Sequence, residues 1–239
     1  MHSCSFEMNV VVSGASKGIG RAIAEIFAAN GHNLIICARG EVPLYQAMQE
    51  LSARYPGINV RAKPFDLSNA EQATAFGKWC LEFGTPDVLV NNAGLFEPGE
   101  VHSEAPGVME HQMAVNFYSA YHLTRALIPS MMARGTGHIF NICSIASLAA
   151  YKNGGAYSIS KFAMHGFHKN LREEMKPYGI RVTALFPGAV MTDSWGKFDN
   201  SGARIMESVD VAKLIYTCTQ LSPGACVEEI ILRPQAGDL

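Results

Sequence analysis

Met8-Asn9-Val10-Val11-Val12-Ser13-Gly14-Ala15-Ser16-Lys17-Gly18-Ile19-Gly20 and the following Arg21-Ala22-Ile23-Ala24-Glu25-Ile26-Phe27-Ala28-Ala29 decide the architecture. The β-branched run stops at Gly14, as a buried strand ending in a turn does. Residues 21–29 are an amphipathic helical stretch, closed by Asn30-Gly31. Glycines let the backbone turn tightly and approach a pyrophosphate, and a helix N-terminus presents unpaired N–H groups and a positive dipole end. Gly14, Ser16, Lys17, Gly18, Ile19 and Gly20 therefore read as a phosphate cradle. The spacing G-x-x-x-G-x-G, with no Gly-Lys-Ser/Thr ending, excludes a P-loop and favours a dinucleotide.

Outward from this unit, the second strand, Asn33 to Ala38, ends in Arg39. In a βαβ unit an acidic residue here would bind the ribose 2′-hydroxyl. Arg39, with Lys17 in the glycine loop, would instead attract a 2′-phosphate, so NADP is expected over NAD. Strand and helix patterns then alternate. Helix 42–55, strand 59–65 ending at Asp66, helix 69–83 and strand 88–90 lead to Asn91-Asn92-Ala93-Gly94. A long helix over 108–134 contains Asn116 and is interrupted at Pro129. Strand 139–142 leads to Ser144. A helix carrying Tyr157 and Lys161 runs to about Tyr178, followed by strand 182–186, Pro187-Gly188, helix 209–221 and strand 227–232. Seven such strands predict an α/β fold with a doubly wound parallel sheet, in one domain over 1–239, with a short substrate loop around 188–207.

The 239 residues carry a formal net charge of -2, so nothing in the charge balance points to a nucleic-acid binder, and none is expected. Residues 1–7 lack a basic start and an apolar run, and no stretch reaches membrane-span length, so a cytoplasmic protein with a small-molecule partner and no membrane association is expected. Six cysteines without a C-x-x-C pair are expected to be reduced thiols, several of them buried. The histidines show no metal-ligand spacing, so no metal is expected.

Tyr157-Ser158-Ile159-Ser160-Lys161 places a phenol and an ammonium one above the other on a helix. A free tyrosine titrates near pH 10, and a neighbouring cation favours its charged form, so the pair fits proton transfer at neutral pH. In a parallel sheet, ligands bind beyond the carboxyl ends of the strands. The glycine loop, Arg39, Asp66, Asn91-Asn92, Ser144 and Pro187-Gly188 all fall there. Ser144 would hold a substrate oxygen, Tyr157 would give or take its proton, and Lys161 would orient the nicotinamide ribose. The reaction implied is hydride transfer at a carbonyl carbon. Ser144 as a nucleophile would need a histidine base, and no G-x-S-x-G elbow surrounds it. Asn116 reads equally as a solvated or packing residue and as a partner of backbone or water behind Lys161.

These motifs, Ser13 to Gly20, Asn91 to Gly94, Asn116, Ser144, Tyr157 with Lys161, and Pro187 to Thr192, resemble the short-chain dehydrogenase/reductase family over nearly the whole chain. The resemblance implies a Rossmann fold, an enzyme acting on CH-OH/C=O groups, and a homodimer or homotetramer paired through the long helices around Asn116 and Tyr157. It makes Tyr157 the general acid/base, Ser144 the oxygen-positioning residue, Lys161 the ribose ligand and Asn116 the support of a water relay. It puts Asp66 and Leu67 at the adenine, Asn92, Ala93 and Gly94 along the adenosine side and central cofactor wall, and Pro187, Gly188, Val190 and Thr192 at the nicotinamide end. Ser13 stands where the family usually has threonine and keeps the hydroxyl. Within the family the chain looks like the 3-oxoacyl-(acyl-carrier-protein) reductases and kindred carbonyl reductases. The short segment after Thr192, Tyr178 in place of a basic residue, and the ending Leu232 to Leu239 depart from the carrier-dependent enzymes. An open, partly apolar pocket from Phe96, Leu148, Tyr151 and Trp195 is expected. A carrier-dependent reductase and a non-catalytic dinucleotide sensor are the alternatives.

Overall fold

The computed structural model describes residues 7–192, 195–196 and 198–237. The leader reading at Met1–Phe6, Cys4, the loop residues Asp193, Ser194 and Lys197, and the terminal Asp238 and Leu239 lie outside the described residues.

In chain order the main elements are β1 (Asn9–Ser13), α1 (Gly18–Ala29), β2 (Asn33–Cys37), α2 (Glu41–Arg54), β3 (Val60–Ala62), α3 (Ala70–Leu81) and β4 (Val88–Asn91). There follow α4 (Val108–Met113), α5 (Ser119–Arg134), β5 (Gly137–Ile142), α6 (Gly155–Met175), β6 (Ile180–Pro187), α7 (Ser208–Thr219) and β7 (Glu229–Leu232). All seven strands pair in parallel, in the order β3-β2-β1-β4-β5-β6-β7. The expected doubly wound sheet is the one observed.

Alternation of side chains along a strand explains how one apolar run serves two cores. Val10 and Val12 of β1 pack with Ile23 and Phe27 of α1 and Ile215 of α7 on one face of the sheet. Val11 packs with Phe76 of α3 and Leu123 and Leu127 of α5 on the other. Strand order reverses between β1 and β4, which opens a crevice at their carboxyl ends. Among the described residues no helix is long and apolar enough to cross a membrane. Cys37, Cys80, Cys143 and Cys218 are buried free thiols, and Cys226 is a half-buried one.

Two expectations are corrected. The continuous helix over 108–134 is divided by a π-helical turn, Ala114–Tyr118, centred on Asn116. The Asn116 carboxamide is bonded to two neighbouring segments, and the local helix widens to let it reach them. Pro129, expected to interrupt the helix, lies inside α5, which runs unbroken to Arg134. Leu123, Leu127 and Met131 are fully buried around it, so packing of the helix face outweighs the lost backbone donor.

Candidate active site

The β1–α1 turn owes its shape to glycine at two positions in particular. Gly14 has φ +68°, in the left-handed region that favours glycine. A Cβ on Gly20 would lie 2.3 Å from the Gly14 carbonyl oxygen and 2.4 Å from Asn92 Nδ2, so α1 approaches the strand ends at a distance only glycine permits. Ser13 locks β1 to β4. Its Oγ accepts from the amides of Asn92 (2.9 Å) and Ala93 (3.0 Å) and donates to the Val90 carbonyl (3.2 Å). The Asn92 side chain returns the bond, Nδ2 donating to the carbonyls of Ser13 (2.9 Å) and Gly14 (3.1 Å). α1 begins without an acidic residue in its first turn, leaving its positive end suited to an anion.

Arg39 and Lys17 are both exposed on this side. Asp66 Oδ1 accepts from the amide (3.0 Å) and hydroxyl (2.7 Å) of Ser68, which hold its carboxyl below the usual range, with Arg39 adding to the effect. Leu67 is buried in the core beside it.

Deeper in the crevice, Lys161 is 5% exposed, and its Nζ donates to the Ile142 carbonyl at 2.9 Å. The ammonium lies 5.8 Å from the centroid of the Tyr157 ring, so the i, i+4 pair does share a face of α6. Asn116 is 1% exposed. Its Oδ1 accepts from the Leu95 amide (2.8 Å) and its Nδ2 donates to Ser160 Oγ (2.9 Å). It is therefore a buried side chain bonded to the Leu95 backbone and to Ser160. Gly94 has no side chain between these groups, and a Cβ there would stand 3.2 Å from Asn116 Oδ1 and 3.6 Å from Lys161 Nζ. That bare edge, the glycine turn and the open end of α1 are a chemically suitable lining for a dinucleotide.

Ser144 ends β5's extension and caps a short 3-10 turn, Ile145–Ser147. Its Oγ accepts from the Ala146 amide (3.1 Å), while Ser147 Oγ accepts from the Ser144 amide (3.2 Å). The hydroxyl is thereby fixed in place with its proton available. α6 packs against this turn, bringing the Tyr157 helix and Ser144 together. Cys143 is buried, which pushes its thiol up to about 12 despite Lys161 nearby, so it is inert beside the site.

Phe96, 47% exposed, meets the Tyr157 ring edge-on at 4.9 Å. Tyr151 is a second phenol near Tyr157, and partial burial, with Tyr157 adding to it, pushes it up to about 12. Trp195 Nε1 donates to the Val190 carbonyl (2.9 Å), and its ring rests on Phe198 at 5.2 Å. The base of the 188–207 loop is closed by reciprocal backbone bonds, Met191 N to Met206 O (2.7 Å) and Met206 N to Ala189 O (3.1 Å). Thr192 approaches the glycine turn, its Cγ2 being 3.3 Å from where a Gly18 Cβ would lie.

Sequence reasoning missed Ser160, which holds Asn116, and Gln112, whose Nε2 donates to the Glu97 carbonyl (3.1 Å). It also missed Glu104, which accepts from the amide of Ala156. No spacing pattern could have found these, since each bond joins segments far apart in the chain.

Residues 8–201 match the short chain dehydrogenase family. Dehydrogenase/reductase SDR family member 7B of Bos taurus is 34% identical over 221 residues, covering 85% of this chain and 68% of the relative. The sepiapterin reductase of Chlorobaculum tepidum is 33% identical over 239 residues, covering 96% and 97%. Among solved structures, an alcohol dehydrogenase from Thermococcus sibiricus complexed with 5-hydroxy-NADP superposes with a TM-score of 0.89 at 29% identity, over 96% of this chain and 97% of that one. L-Sorbose reductase from Gluconobacter frateurii, complexed with NADPH and L-sorbose, gives 0.86 at 26% identity over 95% of each chain. With its sheet order, its glycine turn and its Tyr157–Lys161 helix, the chain belongs to the short-chain dehydrogenase family of oxidoreductases.

Proposed function

We propose that the protein is an NADP(H)-dependent oxidoreductase that interconverts a small carbonyl compound and its alcohol, with Tyr157 as general acid/base. The observation that carries this reading is the Tyr157 ring over the buried Lys161 ammonium, at a crevice edge that Gly94 leaves bare. The glycine turn and the start of α1 would hold the pyrophosphate, Arg39 and Lys17 the 2′-phosphate, and Asp66 and Leu67 the adenine. Asn92, Ala93 and Gly94 would form the central wall, with Pro187, Gly188, Val190 and Thr192 at the nicotinamide. When bound, the nicotinamide supplies or accepts the hydride. On the protein side, the Ser144 hydroxyl donates to the substrate oxygen and Tyr157 delivers or removes the proton at that same atom. Lys161, fixed by the Ile142 carbonyl, places its ammonium beside the Tyr157 ring. NADP complexes among the structural relatives support the cofactor reading.

The pocket reading rests on the exposed Phe96 and Tyr151, with Trp195 on the 188–207 loop. Exposed Tyr118, Ile159 and Phe162, around the start of α5 and on α6, support the pairing of two copies through these helices. Replacing Tyr157 by Phe should lower turnover of a reactive ketone by about 10²–10⁴-fold while NADPH binding, followed by fluorescence, survives. Retained turnover would sink the assignment. Faster turnover of carrier-bound than of small 3-keto substrates would instead identify a 3-oxoacyl-carrier reductase.

A further inference from the structure

We propose that Glu104 is a positioning residue for Tyr157, fastening the start of the catalytic helix to the loop that carries Phe96; this rests on the reading of Tyr157 as the proton donor. α6 begins at Gly155 after Gly154, so its cap position has no side chain, and its first turn holds no acidic residue. The oxygen that a capping serine or aspartate would supply comes from 52 residues earlier, where Glu104 Oε1 accepts from the Ala156 amide at 2.8 Å. A carboxylate is also the group favoured by the positive end of the helix.

The surroundings are shaped to seat this carboxylate. A Cβ on Gly155 would lie 2.1 Å from Glu104 Oε1 and 2.6 Å from the Gly99 carbonyl oxygen, and one on Gly99 would lie 2.7 Å from Glu104 Cγ. All three contacts are closer than real side chains tolerate, so a side chain at either glycine would displace the docked Glu104 carboxylate. A second tie runs beside the first, the Gly99 amide donating to the Asn153 carbonyl at 3.1 Å. Asn153 holds the left-handed region with φ +60°, in the turn just before the helix.

The far end of the same loop is fastened independently. Leu95 N is bonded to Asn116, and the Glu97 carbonyl to Gln112. Phe96 lies between these two anchors, with its ring against Tyr157, and the Glu104 tie holds the loop beyond them. Tyr157 directly follows Ala156. The Ala156 bond therefore fixes the backbone that bears the phenol, and the loop it secures fixes the aromatic wall beside it. Displacing a reacting group by about 1 Å can cost about 100-fold in rate.

The test compares wild type, E104A, E104Q and Y157F for kcat and KM with a reactive ketone, NADPH dissociation constant and urea midpoint, all well below the unfolding temperature. E104A should lose about 10–100-fold in kcat with its NADPH dissociation constant unchanged. E104Q should recover most of kcat, because its carboxamide oxygen still accepts from Ala156. Wild-type kcat in E104A, or equal impairment of E104A and E104Q, overturns the proposal. If E104A does not fold, E104D takes its place. With its carboxylate one methylene short of Ala156, it should lose kcat, and unchanged kcat overturns the proposal. An inactive Y157F beside a normal E104A refutes only the role of Glu104, whereas an active Y157F refutes the catalytic reading on which that role depends.

Discussion

Replacing Ser13 by Ala removes one oxygen atom, yet it should loosen the floor of the cofactor crevice. The residue is 2% exposed, and its hydroxyl serves three backbone groups, accepting from Asn92 and Ala93 and donating to Val90. A buried polar group left without a partner costs about 1–3 kcal/mol. Asn92 and Ala93 are only half-buried, so water can reach part of what is lost, and the sum belongs at the low end, about 2–4 kcal/mol. For a chain of this size, 1 kcal/mol corresponds to roughly 2–4 °C in Tm. Urea unfolding followed by far-UV circular dichroism, without NADPH, measures the loss directly. NADPH affinity should fall alongside it, because Asn92 to Gly94 and the glycine turn are joined through this hydroxyl. Ser13→Thr keeps the oxygen and should lie within about 1 kcal/mol of wild type. A loss below about 0.5 kcal/mol in Ser13→Ala, the range of an ordinary surface change, would refute the claim that this hydroxyl joins β1 to β4.

Two other perturbations probe the cofactor and the acid side. Arg39→Ala should weaken NADPH binding by roughly 10–100-fold, the worth of one charge-assisted contact, and leave NADH nearly unchanged. A wild-type preference for NADH, or intact NADPH binding in the variant, would exclude Arg39 as the phosphate ligand. His168 is buried on α6, and burial lowers it to about 4, with Glu229 opposing and His165, Lys169 and Arg172 adding to the shift. Its folded value lies below the unfolded value of about 6.5, so its contribution to stability is present above that pH and is lost as pH falls toward 4. His168→Gln should therefore lose less stability than wild type in urea titrations over this window, and parallel curves would contradict the assignment.

Both the strands and the chemistry-bearing residues could be read from local pattern. Val10 to Val12 ending at Gly14, and Leu34 to Cys37 ending near Arg39, are short apolar runs that only a sheet covered on both faces can bury. Tyr157 and Lys161 are neighbours because a helix makes residues four apart neighbours. Asn116 is different. Its neighbours in sequence say helix, but its partners, Leu95 and Ser160, come from other segments, and the π-helical turn follows from them. Pro129 likewise looks like a local break until the apolar face of α5 is packed against the sheet.

By itself the sequence determined the parallel α/β sheet and the glycine turn, and it marked Asn116, Ser144, Tyr157 and Lys161 as candidates, because periodicity and motif spacing are properties of contiguous chain. Only the tertiary structure decided that Lys161 is held by the Ile142 carbonyl, that Ser13 joins β1 to β4, and that Glu104 closes the start of α6. Those bonds arise where segments meet across the crevice. Each satisfies a polar group that its own strand or helix leaves unpaired, and no local pattern records which distant residue will supply the partner.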